Sequence, residues 1–151
     1  MSAEAHTLDS TTAAEVKKVA EYLDAAVVVT MMGKGVFPED HPLDAEHTGS
    51  NGTLVGNHMT KNADVILAVG TRFAEQTSSS FLDGMSFSIP PTEIIHLDID
   101  PTEIGKNYPT AVGAVCDAKA GLNDLYDALV DHNGAEGIDR PEYRSEIAKL
   151  R

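Results

Sequence analysis

The 151-residue sequence has no tryptophan and one cysteine, Cys116. A single cysteine excludes any intrachain disulfide, so the fold must rest on its packed core. Cys116 lies in the apolar run AVGAVCD, which suits a small buried hydrophobe better than a reactive thiol. Cationic residues are scarce as well: 11 Lys and Arg against 24 Asp and Glu, a net charge of −13. Nucleic-acid partners require clustered Lys and Arg, and no such cluster exists, so none is expected. No apolar run approaches the roughly 20 residues of a membrane span. The N-terminus also lacks the basic-plus-apolar pattern of a secretory signal. No membrane association is expected, and a cytoplasmic location is. The histidines are scattered. His41 and His47 share a loop, without helical spacing or cysteine pairs, so no metal site is expected. A P-loop, a nucleophile elbow and well-placed paired carboxylates are all missing, which leaves no catalytic residue to assign.

What the chain does have is alternation of apolar runs and amphipathic stretches. Val65–Val69 is an uninterrupted apolar run, too short for an ordinary helix and stopped by Gly70. Such a run reads as a strand buried on both faces, the habit of parallel sheets. Three similar runs, 27–32, 93–99 and 111–116, also end in Gly or Asp. Between them, Val16, Val19, Ala20 and Leu23 share a helical face, with Thr12 and Glu15 spaced as a capping box. Residues 53–62 read as a short helix. Asp100-Pro101 with Glu103 reads as a helix start. Residues 118–130 and 141–151 read as amphipathic helices, and 36–50 and 74–91 as long polar loops. Strands alternating with helices imply a parallel sheet covered on both faces, a Rossmann-like α/β domain.

In open parallel sheets ligands bind beyond the carboxyl ends of the strands. Gly70 and Arg72, Asp98, and Asp117 all fall there. Arg72 is suited to clamp a phosphate, with a salt bridge to one of the many acids as its ordinary use. Asp98 is suited to a ribose hydroxyl. Asp117 suits either a ligand or a helix cap. Gly33-Lys34-Gly35 is a fragment of a phosphate loop or a tight turn. The GSNGT segment, with Gly52 and Thr53 at its end, precedes a helix, where freed backbone N–H groups favour an anion; a plain capping turn reads equally well. Together these positions point to a nucleotide on one rim.

The runs MMGKGVFPEDHPL, GSNGT, NADVILAVGTRF, IIHLDIDPTEIGKNYPT and VCDAK resemble the central domain of thiamine-diphosphate-dependent enzymes. The likeness is to acetolactate synthase (acetohydroxyacid synthase) large subunits, and it covers about residues 13–131. It implies a DHS-like NAD/FAD-binding, three-layer domain, lacking the family's first strand. The domain would occupy residues 1–131, truncated at its N-terminus, with 132–151 a linker toward an absent C-terminal domain. A gap is then expected between the strands near 27–32 and 65–70, filled by Met1–Leu8, by a partner chain or by nothing. The resemblance implies FAD or ADP in this domain, held by Gly52, Thr53, Gly70, Arg72, Asp98 and Asp117. The family carries His where this chain has Asn51, and two acids and Arg where it has Ala74, Glu75 and Gln76. Those positions line the family's flavin end, so ADP is expected to compete nearly as well as FAD. Thiamine diphosphate and Mg2+ would belong to other domains of a carboligase or decarboxylase acting on 2-oxo acids such as pyruvate, in branched-chain amino acid biosynthesis. The isolated chain is then expected to be inactive and to associate with those domains and with itself. A stand-alone nucleotide-binding or regulatory module is the alternative.

Overall fold

A computed structural model describes residues 12–151. The elements run α1 (Ala13–Leu23), β1 (Val27–Val29), β2 (Asp44–His47), α2 (Leu54–Lys61), β3 (Val65–Val69), α3 (Glu75–Ser78), β4 (Glu93–Asp98), β5 (Val112–Val115), α4 (Ala118–Asn133) and α5 (Pro141–Leu150). Among the described residues every strand pairing is parallel. Among the described residues the strands form two sheets, β1-β2 and β3-β4-β5. β3 and β4 run in unbroken register from Val65 opposite Glu93 to Val69 opposite Leu97. The α/β, Rossmann-like fold expected from the sequence is therefore present. No helix among the described residues is long and apolar enough to cross a membrane.

The alternation along β3 separates two faces. Leu67 and Val69 point into the main core, with Val16 and Val19 of α1, Val27–Val29, Val55 and Met59 of α2, and Leu122 of α4. Ile66 and Ala68 point the other way, into a smaller cluster with Phe73, Phe87 and Ile94. β3 is thus buried on both faces, as an apolar run of this kind requires. Burying apolar side chains is worth about 1.5–3 kcal/mol each, and these two clusters hold the layers together.

Several local expectations are corrected. The first strand stops at Val29 because the Thr30 hydroxyl accepts from the Gly33 amide (3.2 Å) and closes a 3-10 turn at Met31–Gly33. Gly33-Lys34-Gly35 forms this turn and the bend after it. The polar segment 36–50 contains a strand, β2. Thr12 does not close a capping box: it is buried, has helical backbone angles, and its side chain caps nothing. Glu15 instead approaches Lys119 of α4 (3.8 Å). No helix follows Asp100. Its carboxylate accepts from the Thr102 amide (2.8 Å) and hydroxyl (2.7 Å), and successive turns lead to β5. Those bonds hold the Asp100 carboxyl below its usual range.

Residues 132–151 pack back onto the domain. Ile147 of α5 is fully buried in the main core. Arg144 bridges the buried Asp24 at the end of α1 and Asp139. His58 of α2 pairs with Glu146 (2.9 Å). Arg151 lies 3.6 Å from the buried Asp44. The expectation for Met1–Leu8 falls outside the described residues.

Candidate functional site

The rim is built by how β1, β2 and β3 end. Gly70 leaves β3 with φ +62°, a left-handed angle that suits glycine, while its amide still donates to the Leu97 carbonyl (2.8 Å). Thr71 then turns inward. Its carbonyl meets Nε2 of the buried His96 (2.8 Å), and its hydroxyl accepts from the Phe73 amide (3.2 Å). Phe73 adopts φ +47°, an unusual angle for a bulky residue. Its ring is fixed edge-on to Phe87, His96 and Tyr108, at centroid distances of 5.5–5.6 Å. With Thr71 and Phe73 both anchored inward, Arg72 between them is exposed on the rim. Asn107 donates to the Arg72 carbonyl (2.8 Å), which fixes the backbone that carries the guanidinium.

Across from Arg72, the GSNGT turn is stitched to the chain by its own amides. Gly49 N–H donates to Oδ1 of Asn57 (2.9 Å), Ser50 to the Gln76 carbonyl (2.8 Å), Gly52 to the Gly49 carbonyl (2.9 Å) and Thr53 to the His47 carbonyl (2.9 Å). The Thr53 hydroxyl caps α2 by accepting from Gly56 (3.2 Å). Gly49 has φ +116°, and a Cβ there would meet the Gln76 carbonyl. Glycine is required because two loops touch, backbone to backbone. Behind the contact runs a chain of hydroxyls, Thr48 to Thr60 (3.1 Å), Thr60 to the Ser86 carbonyl (2.6 Å), and Ser86 to Ser79 (2.6 Å).

These pieces enclose a cleft of about 410 Å³ at the carboxyl ends of β1, β2 and β3. Thr30, Met31 and Met32 line one side, His47 and Asn51 a second, Arg72 and Ala74–Thr77 a third. Arg72 is thus brought together with Asn51, Glu75 and Gln76. Gly52 and Thr53 lie behind the turn that carries Asn51. Asp98 and Asp117 stand on the same rim but do not line this cleft. Asp98 is buried and accepts from the Asp100 amide (2.8 Å). Asp117 is exposed and caps α4 by accepting from Ala120 (3.0 Å). Each uses one carboxylate oxygen in these bonds.

Thr30 and His47 belong to the cleft although their sequence context did not mark them. His47 closes β2, and its ring Nε2 lies 2.9 Å from the Asn51 carbonyl. His41 is engaged elsewhere, between Glu21 (3.3 Å) and the Leu43 amide (3.1 Å). Cys116 packs against the main core, and burial pushes its thiol above the usual range, helped by Asp117, Asp124 and Asp98.

Residues 3–125 match the family described as thiamine pyrophosphate enzyme, central domain. The chain belongs to that family. Among its relatives, a probable acetolactate synthase large subunit of Methanocaldococcus jannaschii is 41% identical over 116 residues, covering 77% of this chain and 19% of the relative. An acetolactate synthase of Mycobacterium avium is 36% identical over 123 residues, covering 82% and 19%. The acetolactate synthase isozyme 3 large subunit of Escherichia coli is 33% identical over 125 residues, covering 83% and 21%. This central domain therefore spans about a fifth of the length of these relatives.

Proposed function

We propose that the chain is the structural central domain of an acetolactate synthase-like carboligase or decarboxylase, and that its rim holds an adenine nucleotide, ADP or FAD. The observation that carries the ligand is the cleft beyond β1 and β3, with a backbone-anchored arginine on its lip. Its volume is in the usual range for small-molecule sites. Arg72 takes the diphosphate through charge-assisted hydrogen bonds. Asp98, with one carboxylate oxygen outside its bond to Asp100, takes the ribose, and Asp117 lies toward adenine. Gly70 serves by exposing Arg72. Gly52 and Thr53 serve by shaping the turn that presents Asn51, because their own amides are bonded within the chain.

In the parent enzyme thiamine diphosphate would supply the carbanion chemistry on 2-oxo acids, with Mg2+, through domains other than this one. No residue of this chain is assigned to that chemistry. The other domains and further copies of the subunit are its expected partners.

The test is calorimetric titration of FAD and ADP into the chain and into Arg72→Ala and Asp98→Ala. Each substitution is expected to weaken binding about tenfold or more, from the loss of roughly 1.5–3 kcal/mol for a hydrogen bond to a charged group. ADP is expected to bind nearly as well as FAD. Equal affinity across the three proteins would place the nucleotide elsewhere.

A further inference from the structure

The turn that carries Arg72 is strained, and part of what holds it comes from the segment after β4. Phe73 has φ +47°, an angle that a bulky side chain rarely adopts. Such a backbone persists only where its surroundings over-determine it. Within the turn the Thr71 hydroxyl accepts from the Phe73 amide (3.2 Å), and the Phe73 carbonyl accepts from the Ser78 hydroxyl (3.1 Å). The carbonyls of Arg72 and Phe73, on either side of the strained angle, both accept from Nδ2 of Asn107 (2.8 and 3.3 Å). Tyr108, next along the chain, packs its ring against Phe73, with 5.5 Å between centroids.

Asn107 sits at the end of a segment that is fixed along its length. At the other end, Asp98 accepts from the Asp100 amide (2.8 Å), and Asp100 accepts from the Thr102 amide (2.8 Å) and hydroxyl (2.7 Å). Lys106 donates to Glu103 (2.9 Å). Ile104 lies so close to Gly113 of β5 that a Cβ there would meet its methyl group at 2.5 Å. Residues 98–108 thus form a strap from Asp98 to the main chain of Arg72. Asn107 itself does not line the rim cleft.

We propose that Asn107 is a positioning residue for the diphosphate. It touches no ligand, and it sets the affinity of the rim for phosphate by fixing the main chain of Arg72. The inference rests on the nucleotide reading above and names the residue that makes its arginine effective. Bidentate contacts between arginine and phosphate are geometrically specific, and a side chain that must be ordered during binding weakens that binding. With Asn107 in place, the backbone under Arg72 is ordered beforehand. Its loss leaves the charge of Arg72 in the protein but removes its registration. The effect must therefore act through Arg72 and spare the ribose.

The test is a double-mutant cycle in the full chain, with ADP and adenosine titrated calorimetrically into wild type, Asn107→Ala, Arg72→Ala and the double variant. Asn107→Ala is expected to weaken ADP about three- to tenfold, the order expected when one long side chain has to be immobilised on binding. In the Arg72→Ala background the same change should alter ADP affinity by less than about twofold, because the two residues act as a unit. Adenosine, which lacks the diphosphate, should bind wild type and Asn107→Ala within about twofold of each other. A partial loss of fold would lower ADP affinity in both backgrounds, and adenosine affinity with it, so the cycle separates positioning from stability. Unchanged ADP affinity in Asn107→Ala, equal losses in both backgrounds, or equal losses for ADP and adenosine would overturn the proposal while leaving the nucleotide reading intact. A wild-type chain that binds no ADP would refute the nucleotide reading and the role of Asn107 with it.

Discussion

Replacing Ile147 with alanine tests whether α5 is part of the domain's core or a passenger on its surface. Ile147 is fully buried within the main core, on a helix whose neighbouring Ala148 and Lys149 are exposed. The substitution removes three carbons from a packed site. Deletions of this size cost about 2–5 kcal/mol, the spread reflecting how far the surroundings collapse into the cavity. Collapse should be limited here, because Arg144 and Glu146, close to Ile147 along the helix, are tied to Asp24 and His58. The expected loss is therefore about 3–4 kcal/mol, in the upper part of that range. For a chain of this length each kcal/mol lowers Tm by about 2–4 °C, so the expected fall is roughly 6–16 °C. The assay is thermal and urea unfolding followed by circular dichroism, with Ala148→Ser as the exposed control, expected to stay within about 0.5 kcal/mol. A fall of less than about 2 °C, or a separate early transition belonging to α5 alone, would refute the reasoning. It would show that the last helix unfolds without the rest.

Asp44 is buried beside Arg151, and desolvation pushes its carboxyl above the usual range more than Arg151 draws it down. A folded-state value above the unfolded one means that the stabilising contribution is complete below the unfolded value and is lost as pH rises through the folded value. Asp44→Asn is thus expected to raise Tm relative to wild type at pH 7 and to leave it nearly unchanged near pH 3; melts across that range check the sign. Gly49→Ala is expected to cost about 2 kcal/mol or more, because it forces a side chain into a left-handed angle and against the Gln76 carbonyl. Urea melts measure the loss, and amide exchange should accelerate at Ser50, whose N–H donates across the contact to the Gln76 carbonyl, if the two loops separate.

The sequence disclosed most where burial imposes a periodicity. Val65–Val69 could be read as a strand because both of its faces are apolar, and residues 118–130 as a helix because one face is. β2 carries no such imprint. Asp-Ala-Glu-His has a single apolar side chain, and its strand geometry is imposed by pairing with β1. Asp100-Pro101 carries the chemistry of a helix start, yet local bonds to Thr102 hold the segment in turns. At the rim, Arg72 was visible because it follows a glycine-ended strand. His47 carries no such sign, because its place depends on β2, and Thr30 reads in sequence as part of a longer strand. The engagement of the GSNGT amides could not be anticipated either, since their acceptors, Asn57 and Gln76, come from other parts of the chain.

The contact between the GSNGT turn and residue 76 rests on the Gln76 carbonyl, which receives both the backbone amide and the hydroxyl of Ser50. The side chains of Asn51, Glu75 and Gln76 project from a backbone that is held in place without their help. Natural variation can therefore exchange these three residues, altering charge and shape at one end of the cleft, while the walls keep their spacing. For the nucleotide site proposed above, ligand preference and fold would then be separable, and the same scaffold could take a different ligand without being rebuilt.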